Sequence, residues 1–197
     1  MPDLAATVNA GSRARPGRVR RVLRTLLIVA GAVAAGFGYA RLMGPNRPAP
    51  AVGSPAPALR LPALGGGEHE LAAERGRLVV LNFWASWCPP CVAELPSLER
   101  LERALADEGL SVVTLATDED AAALRRFVED QRLALRVLLD PGGREAASAY
   151  GVGGYPETFV IDRAGRVLQH VPGPAEWDSP EWQSRLRGLL GAPEPAR

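Results

Sequence analysis

Both cysteines of this 197-residue chain fall in one pentapeptide, Trp87-Cys88-Pro89-Pro90-Cys91, and its flanks leave few folds open. Upstream, residues 77–84 (R-L-V-V-L-N-F-W) form a short apolar run rich in β-branched and aromatic residues, the composition of a buried strand. Downstream, residues 92–105 carry Leu95, Leu98, Leu101 and Leu105 at helical spacing. The two thiols therefore sit where a central strand hands over to a helix.

Unpaired N–H groups and the helix dipole favour negative charge at such a point. A thiol placed there loses its proton more readily, and the thiolate is the reactive species. Cys88, at the helix start, is expected to be the nucleophile, and Cys91, one turn further in, the more shielded resolving thiol. Pro89 and Pro90 suit the first turn, where the N–H groups they lack would have had no partner. A purely structural disulfide closing so short a loop would add little stability, because its entropic benefit grows with loop length. A zinc site would need two more ligands, and His69 and His170 stand about a hundred residues apart. Redox chemistry is the favoured reading, with no metal and no cofactor expected beyond the dithiol itself.

Apolar residues make up 47% of the chain, enough for a core, and the length fits one ordinary domain plus extra segments. The formal net charge of +1 conceals an asymmetry: residues 1–47 carry +7 and residues 48–197 carry −6. An acidic domain with a basic tail argues against nucleic-acid binding. Arg13, Arg15, Arg18, Arg20, Arg21 and Arg24 precede an uncharged run from Thr25 to Ala40. Sixteen helical residues span roughly 24 Å, short of the ~30 Å hydrocarbon core. Counting the apolar neighbours Val22, Leu23, Leu42 and Met43, with Arg24 and Arg41 snorkelling, closes the gap. Arginine before the run places the N-terminus in the cytoplasm and everything after the run outside. The expected organisation is a basic cytoplasmic tail (1–24), a single transmembrane anchor (25–43), a Pro-rich linker (44–57), a globular domain (58–191) and a C-terminal tail (192–197). A cleaved signal peptide is the competing reading, since Ala32-Val33-Ala34 offers small residues for cleavage. In either case the domain is exported.

Within the domain, residues 58–61 and 68–71 flank Gly65-Gly66-Gly67 and read as an edge hairpin. Strands are expected over 110–116, 135–139, 157–161 and 166–171, the last two joined by the turn Asp162-Arg163-Ala164-Gly165. Helices are expected over 120–131, capped by Asp118 or Asp120, over 144–150, and from Ser179 to Leu190. Strands alternating with helices and closing on a hairpin define an α/β domain with a mixed sheet. His69, His170, Trp84, Trp177 and Trp182 read as packed or solvated residues, and Asp118-Glu119-Asp120 as a solvated helix start.

The run V-V-L-N-F-W-A-S-W-C-P-P-C-V-A-E-L-P, followed by G-V-G-G-Y-P-E-T-F-V-I-D, resembles the membrane-anchored thioredoxin-like proteins of the TlpA, ResA and cytochrome c maturation group. The resemblance implies a thioredoxin fold, a mixed central sheet flanked by helices, here with an N-terminal β-hairpin extension. It also implies thiol–disulfide exchange on the extracytoplasmic side of the inner membrane. It places Trp87 beside the disulfide and makes Pro156 a cis proline lying against the cysteine pair. The backbone of Tyr155 then offers a strand edge on which an extended substrate can align its sulfur. Cytoplasmic thioredoxins carry a buried aspartate where this chain has Asn82, which cannot take a proton. Glu94 follows Cys91 by three residues, and helical side chains lean toward the N-terminus. As in the family, Glu94 is read as the acid/base partner of the resolving thiol. Pro96 matches the kink proline of the fold. Glu157, directly after Pro156, echoes the cytochrome c maturation branch and is grouped with Trp87 and Tyr155 as substrate-binding.

The resemblance implies as partners the thiols and disulfides of exported proteins, apocytochrome c among them, and a membrane electron donor that re-reduces the dithiol. A general periplasmic disulfide reductase or isomerase partner is the alternative. A peroxidase on this fold would have Thr or Ser in place of Ala85. A copper-delivery protein would space its cysteines three apart, and the intact pair with Pro156 weighs against a redox-inert binding module.

Overall fold

The computed structural model describes residues 48–191 and, apart from them, Val29. The basic tail, the C-terminal tail and all but one residue of the expected anchor lie outside the described residues. Among the described residues no helix is long and apolar enough to cross a membrane.

Five strands form the central sheet: β3 (Leu78–Trp84), β4 (Leu110–Ala116), β5 (Arg136–Leu139), β6 (Glu157–Ile161) and β7 (Val167–Pro172), in the order β5-β4-β3-β6-β7. β3 pairs parallel with β4 and antiparallel with β6, so it is covered on both edges and both faces, and all seven of its residues are buried. That position explains the uninterrupted apolar run, since a strand buried on both faces has no solvent side to alternate with. β4 and β6 begin and end where the sequence places them.

Within residues 48–191, four α-helices, α1 (Pro89–Leu105), α2 (Ala121–Asp130), α3 (Ala146–Ala149) and α4 (Pro180–Gly191), complete the thioredoxin fold. On one face of the sheet Leu78, Val80 and Trp84 pack against Leu95, Leu98, Leu101 and Leu105 of α1, together with Leu124, Leu186 and Trp177. On the other, Val79, Leu81 and Phe83 pack with Ala146, Ala147, Tyr150 and Phe159. Asp120 caps α2 by accepting from the N–H groups of Ala122 and Ala123. The helix expected over 144–150 is shorter. Pro141–Gly143 makes a 3-10 turn, and the buried Asp140 carboxylate accepts from Glu145 N at 2.9 Å and Ala147 N at 2.8 Å, which delays the helix to Ala146.

The N-terminal hairpin is present: β1 (Arg60–Pro62) and β2 (Glu68–Glu70) pair antiparallel. Leu64 N donates to Val137 O at 2.9 Å, so the hairpin covers the edge strand β5, an edge that would otherwise invite pairing with another chain. The end of the Pro-rich stretch is also attached to the domain. Gly53 N donates to Val167 O, and Ala56 N to Gly165 O.

Candidate active site

β3 ends at Trp84, and the loop Ala85-Ser86-Trp87 carries the chain to Cys88, the N-cap of α1. Asp118, expected as part of a solvated helix start, is instead buried under this loop. It accepts from Ser86 N at 3.1 Å and from the Ser86 hydroxyl. Cys88 and Cys91 are joined in a disulfide, with Cα atoms 5.3 Å apart. Cys91 N–H points at Cys88 Sγ at 3.4 Å, so a donor and the helix N-terminus both face that sulfur. Cys88 is 6% exposed and Cys91 0%, an asymmetry that gives an incoming reagent access to Cys88 first.

The Tyr155–Pro156 peptide is cis, as the family resemblance implied. Trp87 is 65% exposed and meets Tyr155 edge to face, with centroids 5.9 Å apart. The rim of the site is therefore a tryptophan that stands largely in solvent against a half-buried tyrosine, rather than a tryptophan folded down on the core. Tyr155 also leans on the turn before α3. A Cβ at Gly143, where φ is +65°, would come within 2.9 Å of its hydroxyl.

One turn beyond Cys91 on α1 lies a buried polar cluster. Glu94 is 3% exposed on α1, and its Oε1 accepts from Asn82 Nδ2 at 2.7 Å. Its Oε2 accepts from Ala175 N at 3.0 Å and from Trp177 Nε1 at 3.2 Å. Asn82 and Thr158 face each other across β3 and β6, and Asn82 Nδ2 also donates to Thr158 Oγ1 at 2.9 Å. Burial pushes the Glu94 carboxyl above its ordinary value, opposed by the three N–H donors and helped by the negative charge of Glu176. A carboxyl so placed carries a proton closer to neutrality than an ordinary glutamate does. Sequence reasoning identified Glu94 and saw Asn82 as a departure. It read Trp177 as packing alone, and the indole donor to Glu94 carries no local signature.

Glu157 lies on the opposite face of the sheet. Its carboxylate accepts from Gly153 N at 3.2 Å and pairs with His170 Nε2, while the His170 ring stacks on Phe159 at 4.4 Å. Glu157 thus ties down the Gly153-Gly154 loop that leads to Tyr155–Pro156 and does not join the cluster around Glu94. No group of three or more metal-ligating side chains occurs among the described residues.

A redox-active Cys-x-x-Cys pair capping the helix after a central strand, with a cis proline in the same structure and a thioredoxin fold around it, defines a thiol–disulfide oxidoreductase. Residues 51–186 match the Redoxin family, and the chain belongs to it, within the thioredoxin-like TlpA/ResA/cytochrome c maturation group. It is 34% identical over 154 residues to the thiol-disulfide oxidoreductase ResA of Geobacillus thermodenitrificans, covering 78% of this chain and 88% of that one. It is 35% identical over 157 residues to the thiol:disulfide interchange protein HelX of Rhodobacter capsulatus, covering 78% and 86%. Among solved structures it resembles a secreted Mycobacterium tuberculosis disulfide oxidoreductase homologous to E. coli DsbE, at 30% identity and a TM-score of 0.55, covering 67% of this chain and 93% of that one.

Proposed function

We propose that this oxidoreductase works on the extracytoplasmic side of the membrane and reduces disulfides of exported proteins, with apocytochrome c before haem attachment as the substrate class. Cys88 thiolate attacks one sulfur of the substrate disulfide. The substrate S–S bond breaks, a Cys88–substrate mixed disulfide forms, and the other substrate sulfur leaves as thiolate. Cys91 gives its proton to the Glu94 carboxylate and attacks Cys88 Sγ. The substrate is released with both sulfurs reduced, and the Cys88–Cys91 disulfide remains. Two electrons from a membrane donor restore the dithiol, because glutathione does not buffer this compartment.

The observation that carries the reading is the Glu94 carboxyl, buried one turn beyond Cys91 and held by neutral N–H donors alone, as a group that exchanges a proton should be. Tyr155, Pro156 and Trp87 form the surface on which an extended substrate segment aligns, and Glu157 holds the loop that presents it. The arginine asymmetry supports the outward orientation, and the Pro156-Glu157-Thr158 run supports the cytochrome branch.

Cys91→Ser leaves Cys88 able to attack but unable to let go, so partners accumulate as mixed disulfides. The trapped species are expected to be enriched in exported chains with the C-x-x-C-H haem motif. Cells lacking the protein are expected to lose c-type haem staining and to regain it with an added thiol reductant. A trapped set of diverse multi-cysteine proteins, with normal cytochromes, would replace the cytochrome assignment with general disulfide reduction.

A further inference from the structure

The loop between β7 and α4 packs on the first half of α1, and two of its N–H groups are aimed at one atom there. A carboxylate has about four lone-pair positions, two on each oxygen. At Glu94, Oε2 receives Ala175 N–H and Trp177 Nε1–H, so both of its positions are taken. Oε1 receives Asn82 Nδ2 alone, which leaves one position open. Trp177 is fully buried and locked from two sides. Its backbone N–H donates to Ser97 Oγ at 3.2 Å, and its ring packs on Trp182 of α4 with centroids 4.6 Å apart. Ser97 in turn donates to the Glu94 carbonyl at 2.7 Å, so the indole and the carboxylate belong to one braced unit.

We propose that Trp177 is a positioning residue for Glu94: with the Ala175 N–H it saturates Oε2 and confines the exchangeable proton to Oε1, the oxygen on the Asn82 side. The indole then does two things at once. It aims the carboxyl, and it holds part of the negative charge that appears when Glu94 is ionised and ready to take the Cys91 proton. The elements packed against Glu94 contribute Cys91 from α1, the uncharged Asn82 and Thr158 from β3 and β6, and Glu176 from the loop. Among the described residues Glu176 is the one charged group that acts on it. The inference rests on the reading of Glu94 as the proton acceptor for Cys91.

The test is stopped-flow reaction of the reduced full chain with a stoichiometric amount of dithiobis-nitrobenzoate. One thionitrobenzoate appears as Cys88 attacks, and a second as Cys91 resolves the mixed disulfide. The pH profile of the second phase is compared between wild type, Trp177→Phe, Glu94→Gln and the Trp177→Phe/Glu94→Gln pair. Trp177→Phe keeps a buried ring and deletes one donor to the carboxylate, so its profile should move to higher pH by roughly one pH unit. Trp177→Phe should add nothing once Glu94 is Gln. A Trp177→Phe profile that superposes on wild type, or is slowed equally at every pH, overturns the proposal and leaves the Glu94 reading intact. A second phase unchanged in Glu94→Gln overturns both. A readout that needs no Trp177 variant is the indole ultraviolet difference spectrum. It should follow the Glu94 titration in wild type and be flat in Glu94→Gln, and a flat wild-type spectrum also overturns the proposal.

Discussion

Two glutamates in this molecule are almost equally buried and kept in opposite company. Glu74, 6% exposed at the end of the 3-10 turn Leu71–Glu74, pairs with Arg136 Nη1 on β5 and has His69 Nε2 at 3.1 Å. Glu94, 3% exposed, has three neutral N–H donors and, among the described residues, no cation within salt-bridge distance. The charge at Glu74 is compensated outright, so the group serves to fasten the hairpin to the sheet edge. The charge at Glu94 is only partly compensated, so burial raises its proton affinity. His69 shows the cost of the first arrangement, since burial and the nearby Arg136 depress its proton affinity against the pull of Glu74. Equal depth thus says little about a carboxylate's role, and the sign and number of its partners say much.

The largest effect should come from the sulfurs that make the Glu94 environment useful. Cys88→Ser is expected to abolish disulfide reduction, leaving only the uncatalysed rate. Cys91→Ser should allow a single attack and then stall as a mixed disulfide visible by mass spectrometry. Retained turnover in Cys88→Ser would place the chemistry elsewhere.

The contrast itself is tested by matched substitutions. Glu94→Gln should slow resolution of the mixed disulfide by roughly 10²-fold while leaving alkylation of Cys88 unchanged. Glu74→Gln should leave both rates unchanged and lower the unfolding free energy by about 1–2 kcal/mol, a modest figure because Arg136 is half exposed. Denaturant unfolding and single-turnover kinetics on the two variants check this. Equal kinetic losses in both would erase the distinction.

A smaller effect is the pH dependence of stability. The folded state holds the Glu94 proton to higher pH than the unfolded chain does, because burial raises its proton affinity. Across the window from the ordinary glutamate value up to the raised one, the folded state binds more protons, so stability falls as pH rises and is level above it. Urea midpoints of the oxidised protein should show this decline in wild type and lose it in Glu94→Gln. Parallel curves would mean that Glu94 is compensated as fully as Glu74.

The smallest change in stability is expected at the solvent-facing rim. Trp87→Ala should alter stability by less than about 0.5 kcal/mol, since the side chain is largely in water. Reaction with a small disulfide should be unchanged, and KM for a protein disulfide should rise several-fold. An unchanged KM would remove Trp87 from the substrate surface.

The chemistry-bearing stretch and the strands around it are local features, which is why the residues alone determined them. A strand buried on both faces reads as the continuous run Leu78–Trp84, a helix packed on one face repeats its leucines from Leu95 to Leu105, and the cysteines fall at the join. Hairpin chemistry likewise marked β6 and β7. Only the tertiary structure decided what surrounds Glu94, because its partners arrive from 12 to 83 residues away and a donor leaves no mark in the sequence until packing aims it. It also decided that Glu157, next to Pro156 in the chain, turns to the far face of the sheet while Thr158 turns toward Asn82. Side chains alternate along a strand, but which side holds the active site depends on where α1 and the loop after β7 come to rest.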